Sequence, residues 1–138
     1  MNDGVTGVVL AGGRSVRMGR DKARLRHPAS GRAMVEHMAA VLGEAGCAEL
    51  LLSVRAGVDY PEIGAEVGRV VDDGEGGPLP GIAAARARAR HARLLVVAVD
   101  LPGLRAETLR GLIAASTAER GAAWRGARGW EPLCAVYP

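Results

Sequence analysis

Near the N-terminus the sequence runs Val5-Thr6-Gly7-Val8-Val9-Leu10-Ala11-Gly12-Gly13. Apolar and β-branched residues fill this stretch up to the two final glycines, which is typical of a strand that is buried on both faces and ends in a tight loop. Strands of this kind occur in parallel sheets that are covered by helices. We therefore predict an α/β domain in which this segment is the first strand.

Further along the chain, apolar runs alternate with stretches of helical periodicity. Strands are predicted at 50–54, 69–73 and 94–99, helices at 34–45, 80–93 and 105–115, and 121–127 and 133–137 could each be a strand. This alternation predicts a Rossmann-like, three-layer α/β sandwich with a mostly parallel sheet. Ligands of such sheets bind beyond the C-terminal ends of the strands. We expect site residues after Leu10, after Val71 and at Asp100.

The composition indicates a single globular domain over residues 1–138. Hydrophobic residues make up 49% of the chain and charged residues 24%, with a net charge of +3. No apolar run approaches the roughly 20 residues of a membrane-spanning helix, and no secretion signal begins the chain. We expect a cytoplasmic protein with no membrane contact. Cys47 and Cys134 have no metal-ligand spacing and are expected to be core or surface thiols.

The many arginines raise the alternative of nucleic-acid binding. Aromatic residues are only 3% of the chain and Phe is absent, so few side chains could stack on bases. Arg86, Arg90 and Arg93 have the spacing of one face of the second predicted helix, as in a solvated outer stripe. We expect no nucleic-acid partner.

The histidines show no spacing that indicates catalysis or metal binding. His27, His37 and His91 form neither a triad pattern nor a metal motif, and we expect them on the surface or on helices. Trp124 and Trp130 could flank a ligand pocket, but we expect them to pack over the C-terminal strand.

The first predicted loop combines glycines with cations, in the sequence Leu10-Ala11-Gly12-Gly13-Arg14-Ser15-Val16-Arg17-Met18-Gly19-Arg20-Asp21-Lys22. It matches neither the P-loop spacing nor the dinucleotide-binding pattern. Glycine N–H groups and the Ser15 hydroxyl can approach phosphate oxygens, while Arg14, Arg17 and Lys22 add positive charge. Of the 18 basic residues only Lys22 is a lysine, which favours a compact ammonium against a phosphate. We predict a triphosphate cradle; a glycine-rich turn on a solvated basic surface is the alternative.

The complete pattern resembles the signature of the molybdenum cofactor guanylyltransferases (MobA-like), within the wider group of nucleotidyltransferases that share this loop. The resemblance rests on the Leu-Ala-Gly-Gly opening, Arg17-Met18-Gly19, Asp21-Lys22, Gly77-Pro78-Leu79-Pro80-Gly81-Ile82, Val99-Asp100-Leu101-Pro102 and Glu131-Pro132-Leu133-Cys134-Ala135-Val136-Tyr137. Two related cytidylyltransferase groups typically begin with Ala-Ala-Gly instead. The resemblance implies a nucleotide-diphospho-sugar transferase-like fold and transfer of GMP from GTP to molybdopterin cofactor, with release of pyrophosphate.

The resemblance also implies roles for individual residues. Leu10, Ala11, Gly12 and Gly13 would hold the nucleotide, Lys22 its phosphates, Ser53 and Asp73 would contact it, and Gly77, Pro78, Leu79 and Gly81 would close over the base. Arg14, Ser15 and Arg17 join this set from the loop chemistry, with Lys22, Asp100 and Arg17 as the catalytic candidates. Ser53 stands where the family often has Asn, which leaves base selection open.

Asp100 is the predicted Mg²⁺ ligand. A carboxylate at the C-terminal tip of a buried strand offers the oxygen ligand that Mg²⁺ prefers, and the ion could bridge nucleotide phosphates. The alternative is a turn aspartate before Pro102.

Relatives in this family continue beyond the segment that ends here at Pro138. We therefore expect either a truncated form or a nucleotide-binding domain with weak or absent transfer activity. A homo-oligomer or a molybdoenzyme-maturation partner could cover the sheet edge this would expose. Use of CTP or of another phosphorylated acceptor, and a catalytically silent nucleotide-binding domain, stay open as alternatives.

Overall fold

A computed structural model describes residues 4–11, 22–72 and 77–138 of the chain. In this part of the chain the strands are β1 (Val5–Leu10), β2 (Glu49–Arg55), β3 (Gly68–Asp72), β4 (Arg93–Ala98), β5 (Ala122–Gly126) and β6 (Gly129–Tyr137). The helices are α1 (Met34–Glu44), α2 (Leu79–Arg88) and α3 (Ala106–Ala115), and a short 3-10 helix spans Lys22–Arg24.

The described strands form one six-stranded sheet in the order β3-β2-β1-β4-β6-β5. Strands β1 to β4 are parallel, whereas β6 runs antiparallel to both β4 and β5. Leu10 at the end of β1 is level with Ser53 in β2 and with Ala98 in β4. The predicted mostly parallel sheet is confirmed, and the C-terminal ends of its central strands meet at one edge.

Helices cover both faces of the sheet. On one face α1 and α3 bury Met38, Leu42 and Leu109 completely against β1 residues such as Val9. On the other face α2 places Ala85 against a second apolar cluster that contains Val8. The alternation of Val8 and Val9 between two clusters explains why β1 is apolar at nearly every position, and it confirms the predicted three layers.

Helix α2 is shorter than predicted. It ends at Arg88 because Ala89 has extended backbone angles, φ −61° and ψ 141°, and Arg93 already begins β4. The predicted arginine stripe is therefore wrong, since Arg90 and Arg93 do not lie on the helix.

Each of these three arginines has its own structural partner. The Arg86 guanidinium donates to the carbonyl of Pro138 over 2.7 Å and also to that of Ala92. Arg93 donates to the hydroxyl of Ser116 over 2.9 Å. Arg86 and Arg93 therefore bind carbonyl and hydroxyl oxygens of the protein itself. Arg90 forms an ion pair with Glu49 of β2.

The two cysteines are free thiols, as predicted: Cys47 is half-buried and Cys134 is buried. In the described part of the chain, every helix is too short or too polar to cross a membrane.

Candidate functional site

Three predicted nucleotide-binding residues meet at the C-terminal edge of the sheet. A methyl group placed on Gly81 in the first turns of α2 would lie 2.8 Å from the Ser53 hydroxyl oxygen and 3.2 Å from a Leu10 methyl. Leu10 and Ser53 are neighbours across the parallel β1–β2 pair. The fold therefore brings together residues that are 28 and 43 positions apart in sequence.

The Ser53 hydroxyl has no hydrogen-bond partner among the described residues, although its side chain is only 1% exposed. Leaving a hydroxyl buried and unpaired costs about 1–3 kcal/mol. A ligand atom that bonded to this hydroxyl would recover part of that cost. Ser53 is thus a polar group at the strand edge that residues 4–11, 22–72 and 77–138 leave unsatisfied.

The segment before α2 sets the direction in which the helix leaves this edge. Gly77 has a φ of 90°, a left-handed conformation that glycine adopts without strain, and Pro78 precedes the first helical residue. Leu79 projects outward with 72% of its side chain exposed. This segment therefore presents the apolar side chain of Leu79 at the start of the helix that carries Gly81.

Ala11 is the last described residue before the glycine-rich loop. It is buried, and its backbone N–H donates to the Ser53 carbonyl over 2.9 Å. Predicted site residues Gly12, Gly13, Arg14, Ser15, Arg17 and Asp73 lie outside the described residues. Lys22 begins the 3-10 helix on the far side of the loop.

Asp72 belongs to the same edge and was not singled out as a site residue from the sequence. It ends β3, and a carboxylate oxygen lies 3.4 Å from the position of a Cβ on Gly81. Its position at the end of a strand, like that of Asp100, is the sequence feature that could have identified Asp72.

Asp100 lines a cavity of about 460 Å³ on the other side of the sheet centre. The cavity lies between the turn after β4, the start of α3 and the β5–β6 hairpin, with Thr108, Arg128 and Cys134 among its walls. None of Leu10, Ser53 or Gly81 reaches it. The structure thus separates a nucleotide-side cluster from a neighbouring cavity, and Asp100 belongs to the cavity.

The two tryptophans line this cavity and do not pack over the C-terminal strand, so that prediction is wrong. Trp124 is 48% exposed and Trp130 68% exposed. They lie on the β5–β6 hairpin, whose two-residue turn lies between Gly126 and Gly129. The Arg125 guanidinium lies 5.5 Å from the centre of the Trp130 ring, a cation–π contact.

Cys134 is a wall of the cavity rather than a nucleophile. Burial, and to a smaller extent the charge of Glu131, raises the pKa of the Cys134 thiol to about 11. The group is therefore protonated at neutral pH, and an attacking sulfur needs to be a thiolate.

The carboxylate of Asp100 is a ligand type that suits a hard divalent cation. Asp100 is exposed at the tip of β4, and the described residues hold no group of three or more metal-ligating side chains. Mg²⁺ commonly takes one or two carboxylates and fills its other positions with water and phosphate oxygens. One carboxylate beside a phosphate-bearing ligand matches that habit.

His27 is buried, which contradicts the prediction of a surface or helix residue. It lies in the turn between the 3-10 helix and α1, and its ring stacks on that of His37 at a centre-to-centre distance of 3.6 Å. Burial, followed by the neighbouring His27 and Arg32, lowers the pKa of His37. Sequence spacing gave no sign of this pair, because His27 lies in a turn and His37 lies on helix α1.

Comparison with known proteins identifies relatives over nearly the whole chain. The sequence profile of the MobA-like NTP transferase domain matches residues 7–138. A probable molybdenum cofactor guanylyltransferase from Opitutus terrae is 44% identical over 138 residues, which cover 97% of this chain and 66% of that protein. Across the curated relatives described, the chain spans between 54% and 66% of their length.

Solved structures share the fold. The crystal structure of Rv0371c from Mycobacterium tuberculosis H37Rv is 25% identical and superposes with a TM-score of 0.77, over 97% of this chain and 70% of that one. A structure of the same protein in complex with manganese superposes with a TM-score of 0.67 at 23% identity, over 97% and 70% of the two chains.

Proposed function

Because this chain belongs to the family of MobA-like NTP transferase domains, we propose that it binds GTP and transfers GMP to molybdopterin cofactor. Its curated relatives carry the name molybdenum cofactor guanylyltransferase. The observation that carries the proposal is the position of Asp100. It follows β4, whose Ala98 is level with Leu10 at the start of the glycine-rich loop, and it also lines the cavity.

The proposal divides the strand edge between two substrates. GTP would lie on the side of Leu10, Ser53 and Gly81, where the buried Ser53 hydroxyl has no hydrogen-bond partner among the described residues. Its phosphates would extend towards the glycine-rich loop and Lys22. We propose that Arg14, Arg17 and Lys22 offset the negative charge of these phosphates.

The acceptor would occupy the cavity. Trp124 and Trp130 offer aromatic faces for a planar heterocycle, and Arg128 offers a cation for its phosphate. Asp100 forms part of the same wall, so an acceptor phosphate bound there would lie next to the proposed metal ligand. The exposed tryptophans support this assignment, because large aromatic side chains are unusual on a surface that binds nothing.

The chemistry needs no covalent enzyme intermediate. A terminal phosphate oxygen of the acceptor attacks the α-phosphorus of GTP, a new P–O bond forms, and the bond to the bridging oxygen of the β-phosphate breaks. Pyrophosphate leaves with the electron pair. The attacking phosphate is already ionised at neutral pH, so the protein has to align the two substrates and offset charge.

Asp100 is the residue that would hold a divalent cation in this arrangement. When bound, Mg²⁺ would neutralise phosphate charge on the triphosphate. The chain's own contribution is to keep that carboxylate after a buried central strand and beside the cavity proposed for the acceptor.

The first test is a transfer assay. Purified protein is incubated with Mg²⁺, molybdopterin cofactor and one of GTP, CTP or ATP, and the dinucleotide and pyrophosphate are measured. We expect product with GTP. If product forms with CTP alone, the nucleotide substrate is CTP and not GTP. GTP binding without any dinucleotide would indicate a silent nucleotide-binding domain.

Replacing Asp100 tests the site itself. Asp100→Asn keeps the size of the side chain and removes its charge, and we expect the rate to fall at least about 100-fold. Glu119→Gln is the matched control, since it removes one exposed carboxylate between α3 and β5, away from the cavity. Equal activity of Asp100→Asn and the control would refute the assignment of Asp100.

A further inference from the structure

His27 connects the segment that follows Lys22 to the turn that follows Asp100. Its ring Nε2 lies 2.7 Å from the carbonyl oxygen of Pro102, which is 75 residues away in sequence. The side chain is only 7% exposed. A short hydrogen bond in a buried place therefore joins two segments that both carry proposed catalytic residues.

The neighbours of His27 determine which ring nitrogen carries the hydrogen. The backbone N–H groups of Ala29 and Ser30 lie 3.0 and 3.2 Å from Nδ1. Backbone N–H groups only donate, so Nδ1 accepts both bonds and carries no hydrogen. The hydrogen of the neutral ring is then on Nε2, which donates it to the carbonyl of Pro102.

On the Lys22 side, backbone hydrogen bonds and ring stacking hold His27 in place. Its backbone N–H donates to the carbonyl of Arg32 over 2.7 Å, and its own carbonyl accepts from Gly31 over 2.9 Å. The His37 ring of α1 covers one face of the imidazole at 3.6 Å. The position of Nε2 is therefore set by the turn and by helix α1 together.

On the other side, the bonded carbonyl belongs to a compact turn. The N–H of Leu104 donates to the carbonyl of Leu101 over 3.1 Å, and Pro102 between them has a fixed φ. Asp100 lies two residues before Pro102. Holding the Pro102 carbonyl thus limits where the backbone of Asp100 can move.

We propose that His27 is a positioning residue that sets the placement of the Asp100 carboxylate relative to the Lys22 segment. This inference rests on the proposed nucleotidyl transfer, in which both segments act on one triphosphate. Displacing a catalytic group by about 1 Å can cost on the order of 100-fold in rate. The bond from His27 to Pro102 ties the two segments together across the sheet edge.

Two substitutions distinguish the roles of the two ring nitrogens of His27. In His27→Gln the amide nitrogen can reach the place of Nε2 and donate to Pro102, but the acceptor at Nδ1 is lost. In His27→Asn the amide oxygen can accept from Ala29 and Ser30, as in an Asx turn, but the side chain is too short for Pro102. His27→Gln therefore breaks the local turn, and His27→Asn breaks the long-range bond to Pro102.

The measurements are the transfer rate, the melting temperature and the affinity for Mn²⁺ in the presence of GTP. We expect His27→Asn to lose about 10- to 100-fold in kcat and in Mn²⁺ affinity at a temperature where it is fully folded. We expect His27→Gln to stay within about threefold of the unaltered protein, even if its melting temperature is lower. Nitrogen NMR of the unaltered protein should show His27 as the Nε2–H form.

The result that overturns the proposal is equal loss in both variants in step with their melting temperatures, or an unchanged His27→Asn. An Nδ1–H ring would also overturn it. If the unaltered protein makes no dinucleotide with any triphosphate, the proposed function fails, but the Mn²⁺ affinities of the two variants still decide the role of His27. Absence of Mn²⁺ and GTP binding by the unaltered protein would overturn both.

Discussion

Two buried hydroxyls in neighbouring strands have opposite surroundings. Thr6 in β1 is fully buried and donates a 2.7 Å hydrogen bond to Glu49. Ser53 in β2 is equally buried and has no partner in the described part of the chain. The first hydroxyl stabilises the fold, whereas we propose that bound GTP supplies a hydrogen bond to the second.

This contrast gives a prediction for Ser53→Ala. No protein hydrogen bond is lost, so the free energy of unfolding should stay the same or rise by up to about 1 kcal/mol, measured by urea denaturation. The affinity for GTP should fall roughly 5- to 10-fold, because the ligand loses one hydrogen bond worth about 1 kcal/mol.

Thr6→Val is the matched control, since it removes a buried hydroxyl that does have a partner. It should lower the free energy of unfolding by about 1 kcal/mol and leave GTP affinity unchanged. Destabilisation of Ser53→Ala to the same extent, with unchanged GTP affinity, would show that Ser53 has only a structural role.

At the element scale, the packing of helix α2 depends on the missing side chain of Gly81. Gly81 is buried, and its Cα faces Ser53 and Leu10 so closely that a Cβ would lie within 3.2 Å of both. Helix propensity favours alanine over glycine by about 0.5–1 kcal/mol, whereas overpacking of a filled site costs about 1–3 kcal/mol. At this position the second effect is the larger.

Gly81→Ala should therefore lower the free energy of unfolding by about 1 kcal/mol and weaken GTP binding at the Ser53 edge. Gly111→Ala in α3 is its control, because that glycine is exposed and its Cβ would meet nothing within 4 Å. The control should gain about 0.5–1 kcal/mol by the same helix propensity. Equal stabilisation of both variants in urea denaturation would contradict this prediction. It would mean that the Ser53 side chain can change its rotamer at no cost to make room for the added methyl group.

The β5–β6 hairpin is the second element that matters for the proposed site. Its strands pair from Gly126↔Gly129 back to Ala122↔Val136, with an irregularity between Ala123 and Trp124. Trp124 pairs with Glu131 and Arg125 pairs with Trp130, and both tryptophans are among the residues that line the cavity with Asp100.

In the molecule as a whole, polar contacts between residues that are far apart in sequence add to the apolar packing between elements. Arg86 of α2 bonds to the carbonyl of Pro138 at the end of β6. The carboxylate of Glu49 in β2 accepts from Thr6 in β1 and from the backbone N–H of Arg90 after α2, over 2.7 and 2.8 Å. Glu49 therefore links two strands and a loop.

The charge of Glu49 should make the stability of the whole fold depend on pH. Burial alone would raise its pKa, but the Arg90 backbone N–H, the Thr6 hydroxyl and the Arg90 charge outweigh burial and lower the pKa of Glu49 below its ordinary value of 4.5. A lowered folded-state pKa means that ionised Glu49 stabilises the fold above pH 4.5, and that this contribution is lost as the pH falls through the folded pKa.

Glu49→Gln should accordingly lower the free energy of unfolding by about 1 kcal/mol at pH 7, and the difference should shrink steadily below about pH 4. Urea denaturation at pH 7 and pH 3 measures both values. The exposed Glu119→Gln change should stay within about 0.5 kcal/mol at either pH. A Glu49→Gln deficit that was equally large at pH 3 would contradict the linkage.

The order of strands and helices, the layers and the position of Asp100 at a strand end all followed from the pattern of apolar runs and breakers. Hydrophobic periodicity reports local structure, and Leu94 to Val99 or Met34 to Leu42 carry it over several turns or pleats. The sequence also placed Leu10, Ser53 and Gly81 in one site, and they do lie close together because parallel strands bring their C-terminal ends to one edge. Their role in binding a nucleotide stays a prediction.

Other features could not be read from the order of residues. The end of α2 at Arg88, the bond from His27 to Pro102 and the cavity between Asp100 and Trp130 depend on which side chains meet across the fold. Apolar spacing is a property of neighbours in the chain, so it specifies strands, helices and the strand edge where we propose that a ligand binds. Contacts between residues 75 positions apart depend on packing and on unpaired backbone groups, and these exist only once the chain has folded.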